Sequence, residues 1–317
     1  MNDRRSRRRA VLLIPCLLGV VAFAGAMATR RSAAATPYAA PDGASELAAF
    51  GKELFFSTTA WGQQPSVGPE VSGRRLACSS CHAGPAYTDG LTHLISPVGS
   101  QPLARRQTPH LFGVCCTAPF SWDGRNATLQ AQVRGAIVSP LELNATRPPT
   151  PHELDALAAY LLTLTPPKAE PGVDFDAGKA ARGERLFHEL RPVTDPGGEF
   201  GSHASASCAT CHEGPLFTDQ RPHRIWPTPF GDPADIGEVN QDGHTLGFDT
   251  PALVGLRLTA PYFHQGAGGV GEGAAPGDPA AARQALRSVV LPFYNARFQL
   301  QFTDAELDDL TEFLLSL

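Results

Sequence analysis

Two short motifs in this sequence combine residue types that can hold a metal porphyrin. They are Cys78-Ser79-Ser80-Cys81-His82 and Cys208-Ala209-Thr210-Cys211-His212. Each has the C-x-x-C-H pattern typical of c-type haem attachment, in which two thiols bond the porphyrin vinyl groups and the histidine binds the iron. A single C-x-x-C could also be a redox dithiol or half of a zinc site. Two copies, each followed by histidine, favour two covalently attached haems, with iron bound by His82 and His212.

The ligand on the far side of each iron determines what such a haem can do. An iron with a free sixth position is reactive, whereas one with two strong axial ligands mainly transfers electrons. Small electron-transfer cytochromes usually use methionine there, but the only methionines of this chain are Met1 and Met27, both in its N-terminal segment. If that segment is removed, methionine ligation is excluded at both haems.

Three residues are candidates for the far sides. Gln132 and Glu142 lie in a predicted helical segment over residues 129–142, and Tyr294 lies in the corresponding segment of the second half, residues 286–300. A carboxylate in an apolar pocket can take a proton from one peroxide oxygen and return it to the other. Without a haem nearby, Glu142 would be a surface charge and Gln132 a loop hydrogen-bonding residue. Tyr294 could bind ferric iron as a phenolate, or be a half-buried aromatic residue.

Trp122 lies between the two haem motifs along the chain. A tryptophan there could relay an electron by transient oxidation, or it could be a core residue. His264 occupies the matching position of the second half, where we expect it to bond a propionate or a backbone group rather than iron.

The elements that position these residues recur in two halves of the chain. Residues 51–56 precede the first motif as residues 183–188 precede the second, and the segment A-G-P-A-Y-T-D after the first corresponds to E-G-P-L-F-T-D after the second. Each half ends in a predicted amphipathic helix with a capping box, Thr150-x-x-Glu153 or Thr303-x-x-Glu306. Because a haem replaces much of the core that a small domain lacks, we predict a mostly α-helical protein: two tandem cytochrome c-like haem domains with long loops and little sheet.

The predicted organisation has four parts. Residues 1–36 form a signal peptide or N-terminal anchor, residues 37–165 the N-terminal haem domain, residues 166–176 a proline-rich linker and residues 177–317 the C-terminal haem domain. The first part has arginines followed by an apolar run over residues 11–28, the pattern of an export signal or a short membrane anchor. We therefore expect a periplasmic protein. Its net charge of −5 argues against nucleic acid as a partner.

Taken together, these residues resemble a known family. The doubled haem motif, Trp122-Asp123-Gly124-Arg125, Gln132, the segment Pro140-Leu141-Glu142 and the segment from Thr259 to His264 are similar to the bacterial di-haem cytochrome c peroxidases and their MauG relatives. The resemblance covers nearly all of the chain after the leader. It implies that the N-terminal haem is the peroxidatic one and that the C-terminal haem transfers electrons.

The resemblance also implies roles at the two haems. His82 is the proximal ligand of the reactive haem, His212 that of its partner, and Trp122 connects the two. Gln132 and Glu142 match the distal pair of the peroxidatic haem.

The same resemblance implies a sixth ligand for the iron of the second haem and a bound calcium ion. The family divides on the sixth ligand of the C-terminal haem, with methionine in the peroxidases and tyrosine in MauG, and Tyr294 matches that position. Thr259 and Pro261 match two carbonyl ligands of a calcium ion between the domains. Gln107 replaces the asparagine that usually provides a third.

These observations predict a di-haem c-type oxidoreductase that reduces hydrogen peroxide at the N-terminal haem with electrons delivered through the C-terminal haem. The missing methionine favours MauG-like oxidation of tryptophan or tyrosine side chains in a partner protein over peroxide detoxification fed by a small cytochrome or copper protein. The alternative is a non-enzymatic electron-transfer cytochrome with both irons six-coordinate. For that alternative, the first half offers only His93 or His110 as a second ligand.

Overall fold

The helices form where the sequence carries cap residues and apolar positions at helical spacing. The computed structural model describes residues 44–95, 104–194, 205–223, 247–269 and 276–317, so the predicted leader, residues 1–36, lies outside the described residues. The α-helices are α1 (Ala44–Phe56), α2 (Leu129–Val138), α3 (Pro151–Leu161), α4 (Ala177–His188), α5 (Pro279–Ala285), α6 (Leu291–Phe298) and α7 (Asp304–Ser316).

The described strands are short and form three separate antiparallel pairs. They are β1 (Thr92–Ile95) with β2 (Ala104–Gln107), β3 (Arg191–Pro192) with β4 (Ser205–Ala206), and β5 (Pro222–His223) with β6 (Phe248–Asp249). In the longest pair, Thr92 is opposite Gln107 and His93 is opposite Arg106. The prediction of a mostly helical chain with little sheet is therefore confirmed.

Each half has its own apolar core around one pair of packed helices. In the first half α1 packs on α3, and in the second α4 packs on α7. The core of the first half includes Leu54, Phe55 and Leu157, and that of the second includes Phe187, Leu310 and Leu314. Burying these side chains supplies the main driving force for folding of each half.

Both predicted capping boxes are present. The Thr150 hydroxyl accepts from the Glu153 N–H at 3.2 Å and the Glu153 carboxylate accepts from the Thr150 N–H at 2.7 Å. Thr303 and Glu306 make the same pair of bonds at 3.3 and 2.8 Å. Each box provides hydrogen-bond acceptors for two backbone N–H groups, one at the cap and one in the first helical turn, that would otherwise lack partners. These bonds fix where α3 and α7 begin.

The segment between the halves packs on the second half. The Arg283 guanidinium donates to the Asp174 carbonyl at 2.8 Å, and Arg257 donates to the carbonyl of Pro167. None of the helices in the described ranges is long and apolar enough to cross a membrane.

A glycine at the same place in each half lets the paired helices approach closely. A Cβ at Gly51 of α1 would lie 1.9 Å from the Ala156 carbonyl oxygen of α3, and one at Gly183 of α4 would lie 2.0 Å from the Asp309 carbonyl oxygen of α7. Atoms cannot approach to these distances, so any side chain at either glycine would force the helices apart.

We expect Gly51→Ala and Gly183→Ala each to lower the free energy of unfolding of the purified protein by roughly 1–3 kcal/mol or more, because overpacking displaces backbone rather than a flexible side chain. Denaturant unfolding followed by circular dichroism measures the change. Gly178→Ala is the matched control on α4, since its added Cβ would meet only side-chain atoms, Asp176 Oδ1 at 3.3 Å and Arg182 Nη1 at 3.9 Å. Equal stability of all three variants would contradict the close crossing.

Candidate functional site

Both C-x-x-C-H motifs fold into the same tight turn. A short 3₁₀ turn over Cys78–Ser80 is followed by a bond from the His82 N–H to the Cys78 carbonyl at 2.9 Å. The second motif repeats this turn over Cys208–Thr210, with His212 N–H bonded to the Cys208 carbonyl at 3.0 Å. A turn of this kind brings two cysteines and one histidine to the same stretch of cavity wall.

The two motif histidines are held in the same way by a backbone carbonyl. His82 Nδ1 lies 3.2 Å from the Tyr87 carbonyl oxygen, and His212 Nδ1 lies 2.9 Å from that of Phe217. A carbonyl can only accept, so Nδ1 carries the proton and Nε2 keeps its lone pair for a metal. Burial lowers the pKa of both imidazoles, which favours the neutral form that metal binding requires.

Both motifs line a cavity of about 810 Å3 whose wall is largely apolar. Burial raises the pKa of the Cys78 and Cys208 thiols to about 12. These two thiols therefore stay protonated at neutral pH, whereas the thiolate is the form that reacts in thiol–disulfide exchange. A large apolar cavity with paired thiols and neutral imidazoles fits a haem at each motif.

Gln132 is oriented by two neighbours that the sequence analysis did not identify. Its Oε1 accepts from the Asn126 side-chain amide at 2.7 Å and from the Ser121 hydroxyl at 2.5 Å. Asn126 is itself held by paired backbone bonds with Phe120, which close the loop containing Trp122. With Oε1 occupied, the Gln132 amide NH₂ remains as a donor on the wall of the cavity.

Glu142 also lines this cavity. It was predicted to lie within a helix over residues 129–142, but α2 ends at Val138 and Glu142 follows in a turn. The helix stops because Ser139 precedes Pro140 and is extended, the conformation that a following proline favours. Burial raises the pKa of the Glu142 carboxyl, and the charges of Arg125 and His93 act in the opposite direction.

Arg125 is fixed beside this pocket by a buried partner. Its Nε donates to Asp123 Oδ1 at 2.7 Å, and Asp123 is 1% exposed. Both residues belong to the Trp122-Asp123-Gly124-Arg125 motif, so that motif contributes a cation to the electrostatics around Glu142.

Trp122 lies where the two halves meet. Its indole N–H donates to the Gln107 carbonyl at 3.0 Å, and its own carbonyl accepts from the Asp249 N–H at 2.8 Å. Its ring lies edge-on to His264, with centroids 6.4 Å apart. Burial lowers the pKa of His264 to about 3, so its imidazole is neutral where it stacks on Phe248.

Tyr294 lines the cavity close to the second motif. It lies on α6, directly after a π-helical turn over Leu286–Val290 that joins α5 to α6. Pro292 has no N–H to donate within this helix, and single π turns accommodate such breaks. Burial raises the pKa of the Tyr294 hydroxyl, with smaller effects from Cys211 and Cys208. The helical segment predicted over residues 286–300 therefore begins with this π turn and ends at Phe298, where Gln299 takes the left-handed conformation.

The three predicted calcium ligands lie at the same junction. The Gln107 side-chain amide donates to the Pro261 carbonyl, and the Gln107 N–H donates to the His264 carbonyl at 2.8 Å. Thr259 lies two residues before Pro261 and is 5% exposed. These three residues provide no carboxylate. The groups that they could offer an ion are neutral backbone carbonyl oxygens and the side-chain amide of Gln107.

Both candidate second histidines of the first half have a ring nitrogen engaged by a protein group. His93 Nε2 is bonded to Asp89 at 2.7 Å, in a cluster with Cys81. His110 Nδ1 accepts from the Phe112 N–H at 3.2 Å, and its ring also bonds the Ala252 backbone. Burial lowers the pKa of His110 to about 4.

An Asp–His pair recurs beside the second cysteine of each motif. His223 Nε2 lies 2.7 Å from Asp219, as His93 lies from Asp89. The bond to Asp89 raises the pKa of His93 to about 10. The repeated spacing D-x-x-x-H after each motif is visible in the sequence, but these pairs were not predicted from it.

Comparison with known proteins gives one family match and several relatives. A family model described as di-haem cytochrome c peroxidase matches residues 45–166. The chain is 30% identical over 243 residues to the methylamine utilization protein MauG of Methylorubrum extorquens, covering 70% of this chain and 65% of that protein. It is 25% identical over 248 residues to cytochrome c551 peroxidase of Pseudomonas aeruginosa, covering 68% and 66%. The match thus spans just under two thirds of the length of either relative.

Two solved structures share the fold. One is hydrazine synthase of Kuenenia stuttgartiensis pressurized with xenon, and the other is a MauG-like protein associated with microbial copper homeostasis. Each superposes with a TM-score of 0.54 at 20% identity, covering 86% of this chain and 88% of the other. Residues 45–166 thus match the di-haem cytochrome c peroxidase family, and about 70% of the chain is similar to a MauG protein and to a cytochrome c551 peroxidase.

Proposed function

We propose that this protein is a di-haem c-type oxidoreductase that reduces hydrogen peroxide at its N-terminal haem with electrons delivered through its C-terminal haem. Cys78 and Cys81 attach the first haem and His82 binds its iron. Cys208, Cys211 and His212 do the same for the second. The neutral imidazoles, the protonated thiols and the apolar cavity support this assignment.

The observation that carries the proposal is Glu142 beside the first motif. Its carboxylate lines the cavity with a pKa raised by burial, and no hydrogen bond joins it to the described residues. A carboxylate without a structural partner is available for proton transfer, and a raised pKa brings it closer to the working pH. A haem held there would supply the two-electron redox chemistry needed to break the O–O bond.

Glu142 then moves one proton. Its carboxylate takes the proton from the near peroxide oxygen and delivers it to the far oxygen, which leaves as water. The Gln132 amide NH₂ donates a hydrogen bond to the peroxide and holds it in position, because Ser121 and Asn126 fix the amide. The positive charge of Arg125 opposes the effect of burial on Glu142, so that the carboxyl can still ionise.

The contacts of the histidines in the first half favour an enzyme over a non-enzymatic electron-transfer cytochrome. A carrier needs a second strong ligand at each iron. His93 is held by Asp89, and His110 is bonded on both sides of its ring. The first iron would therefore keep a position for peroxide.

In the second half, the position of Tyr294 favours MauG-like oxidation of partner side chains over peroxide detoxification. Tyr294 lines the cavity near Cys208 and Cys211, and its hydroxyl makes no hydrogen bond to the described residues. The chain after its leader has no methionine to serve instead. A phenolate ligand stabilises oxidised iron electrostatically, so two oxidising equivalents could be shared through Trp122 and passed to a tryptophan or tyrosine of a partner protein.

Three finer assignments complete the proposal. A calcium ion would bind Gln107, Thr259 and Pro261; the contact of the Gln107 side chain with the Pro261 carbonyl brings two of them together, and the Gln107 amide would have to turn its oxygen to the ion. The haem domains comprise residues 37–165 and 177–317, joined by residues 166–176, in keeping with the two separate cores. The apolar run at residues 11–28 supports a periplasmic location.

We expect Glu142→Gln to slow the change of the Soret band after mixing with stoichiometric hydrogen peroxide by roughly 10²–10⁴-fold, since acid–base help is lost. In the unsubstituted protein Glu142 acts ionised, so the rate rises as pH rises through its elevated pKa and then levels off. This limb disappears in Glu142→Gln. Stopped-flow absorbance at several pH values measures both effects.

The exposed Glu184 of α4 provides a matched control, and Glu184→Gln is expected to keep the native rate and pH profile. A resting protein with two low-spin haems that does not respond to peroxide would refute the enzyme and favour the carrier. An unaltered rate in Glu142→Gln would refute only the role of Glu142.

We expect Asn126→Ala to slow the same reaction by about tenfold, because one hydrogen bond that orients Gln132 is lost. Asn126 acts through Gln132, so the double variant Asn126→Ala/Gln132→Ala is expected to react no more slowly than Gln132→Ala. Additive losses would show that Asn126 acts independently of Gln132.

Tyr294→Phe is expected to shift the low-spin ferric signal of the C-terminal haem, because the sixth ligand is lost. Electron paramagnetic resonance of the resting protein measures it. Tyr262→Phe is the control, since the buried Tyr262 hydroxyl donates to the Leu256 carbonyl at 2.8 Å. Identical spectra for Tyr294→Phe and the unsubstituted protein would exclude Tyr294 as a ligand.

A further inference from the structure

Each half packs three aromatic rings behind its haem motif. In the first half Phe55 lies 6.2 Å from Tyr87 and 5.3 Å from Tyr160, centroid to centroid. In the second half Phe187 lies 5.8 Å from Phe217 and 5.2 Å from Phe313. The three positions correspond in the repeat. The first precedes the haem motif, the second follows it directly before Thr-Asp, and the third lies on the last helix of its half.

The two clusters differ only in their hydroxyl groups. Tyr87 and Tyr160 correspond to Phe217 and Phe313, so both tyrosines of the first half are phenylalanines in the second. The second cluster packs with phenylalanine at both positions, so packing alone does not require the hydroxyls. The two hydroxyl oxygens lie 3.4 Å apart and form a hydrogen bond.

The tyrosine pair lies between the first haem motif and the surface. The Tyr87 carbonyl accepts from His82 Nδ1, so the residue that would bind iron is bonded directly to Tyr87. Tyr87 and Tyr160 also line a cleft at the surface, together with Lys52 and Thr163. His82, Tyr87, Tyr160 and the cleft therefore form a continuous route, and the second half has no phenol on the corresponding route.

We propose that Tyr87 and Tyr160 carry oxidising equivalents from the N-terminal haem site to this cleft, where a one-electron donor from solution is oxidised. The inference rests on the proposed function, because peroxide must supply the oxidising equivalents. Tyr160 loses one electron, which passes through Tyr87 to the oxidised haem site, and releases its phenolic proton to water in the cleft. The donor returns one electron, and a proton from water restores the phenol.

Release of that proton follows from the surroundings of Tyr160. Burial and the hydrogen bond with Tyr87 raise the pKa of its hydroxyl, so it is protonated at neutral pH. A buried phenol that loses an electron becomes strongly acidic and must pass its proton to a neighbour or to water. Both the Tyr87 hydroxyl and the cleft are within reach.

The test uses the full-length protein with both haems attached. The unsubstituted protein, Tyr87→Phe, Tyr160→Phe and the control Tyr262→Phe are mixed with stoichiometric peroxide, freeze-quenched and measured by electron paramagnetic resonance. Protein grown with ring-deuterated tyrosine identifies a tyrosyl signal by its narrowing. A second readout is the rate at which ascorbate restores the resting Soret band. The second half tolerates phenylalanine at both positions, so the variants are expected to fold.

We expect a tyrosyl signal in the unsubstituted protein and in Tyr262→Phe, its loss in Tyr87→Phe and Tyr160→Phe, and slower recovery with ascorbate in those two variants. A Soret change with no tyrosyl signal, or a signal that persists in the Tyr87→Phe/Tyr160→Phe double variant, overturns this inference and leaves the proposed function intact. Absence of any Soret response to peroxide overturns the proposed function, and this inference with it.

Discussion

The hydrogen bond from each motif histidine to a backbone carbonyl is the constraint on which both haem sites depend. The carbonyl belongs to the residue five positions later, Tyr87 or Phe217. It fixes the tautomer, because a carbonyl accepts only, and it fixes the direction of Nε2. The same residue places its ring in the aromatic cluster of its half. The metal ligand and the apolar core are therefore coupled through one residue in each half.

On this shared scaffold the two halves differ where chemistry is expected. The first has a short α2 and a turn that brings Glu142 to the cavity, with a Gln132 amide fixed by its neighbours. The second has a longer helix with a π turn that carries Tyr294. The two halves share the side that carries the motif histidine and differ in the segments that carry Glu142 and Tyr294. In the proposed function, this difference pairs a reactive haem with a haem that transfers electrons.

Trp122 and Gln107 join the halves through hydrogen bonds with backbone groups. Trp122 is bonded to Gln107 within the first half and to Asp249 in the second, while Gln107 is bonded to His264 and Pro261. Backbone hydrogen bonds with buried partners are directional, so they fix the indole more narrowly than packing would. A fixed aromatic ring between two redox sites suits electron transfer, because its distance to each site stays constant.

Much of this protein was determined by local sequence. The two capping boxes and the mostly helical class depend on residues close together along the chain, and both were predicted correctly. The partners of Gln132, the fixation of Arg125 by Asp123 and the end of α2 before Glu142 were not predicted. These features depend on contacts between a closed loop and a helix end. Residue spacing along the chain does not predict such contacts. Only the tertiary structure decided which polar atoms are occupied and which remain available, because a hydrogen bond between distant residues depends on how the chain packs.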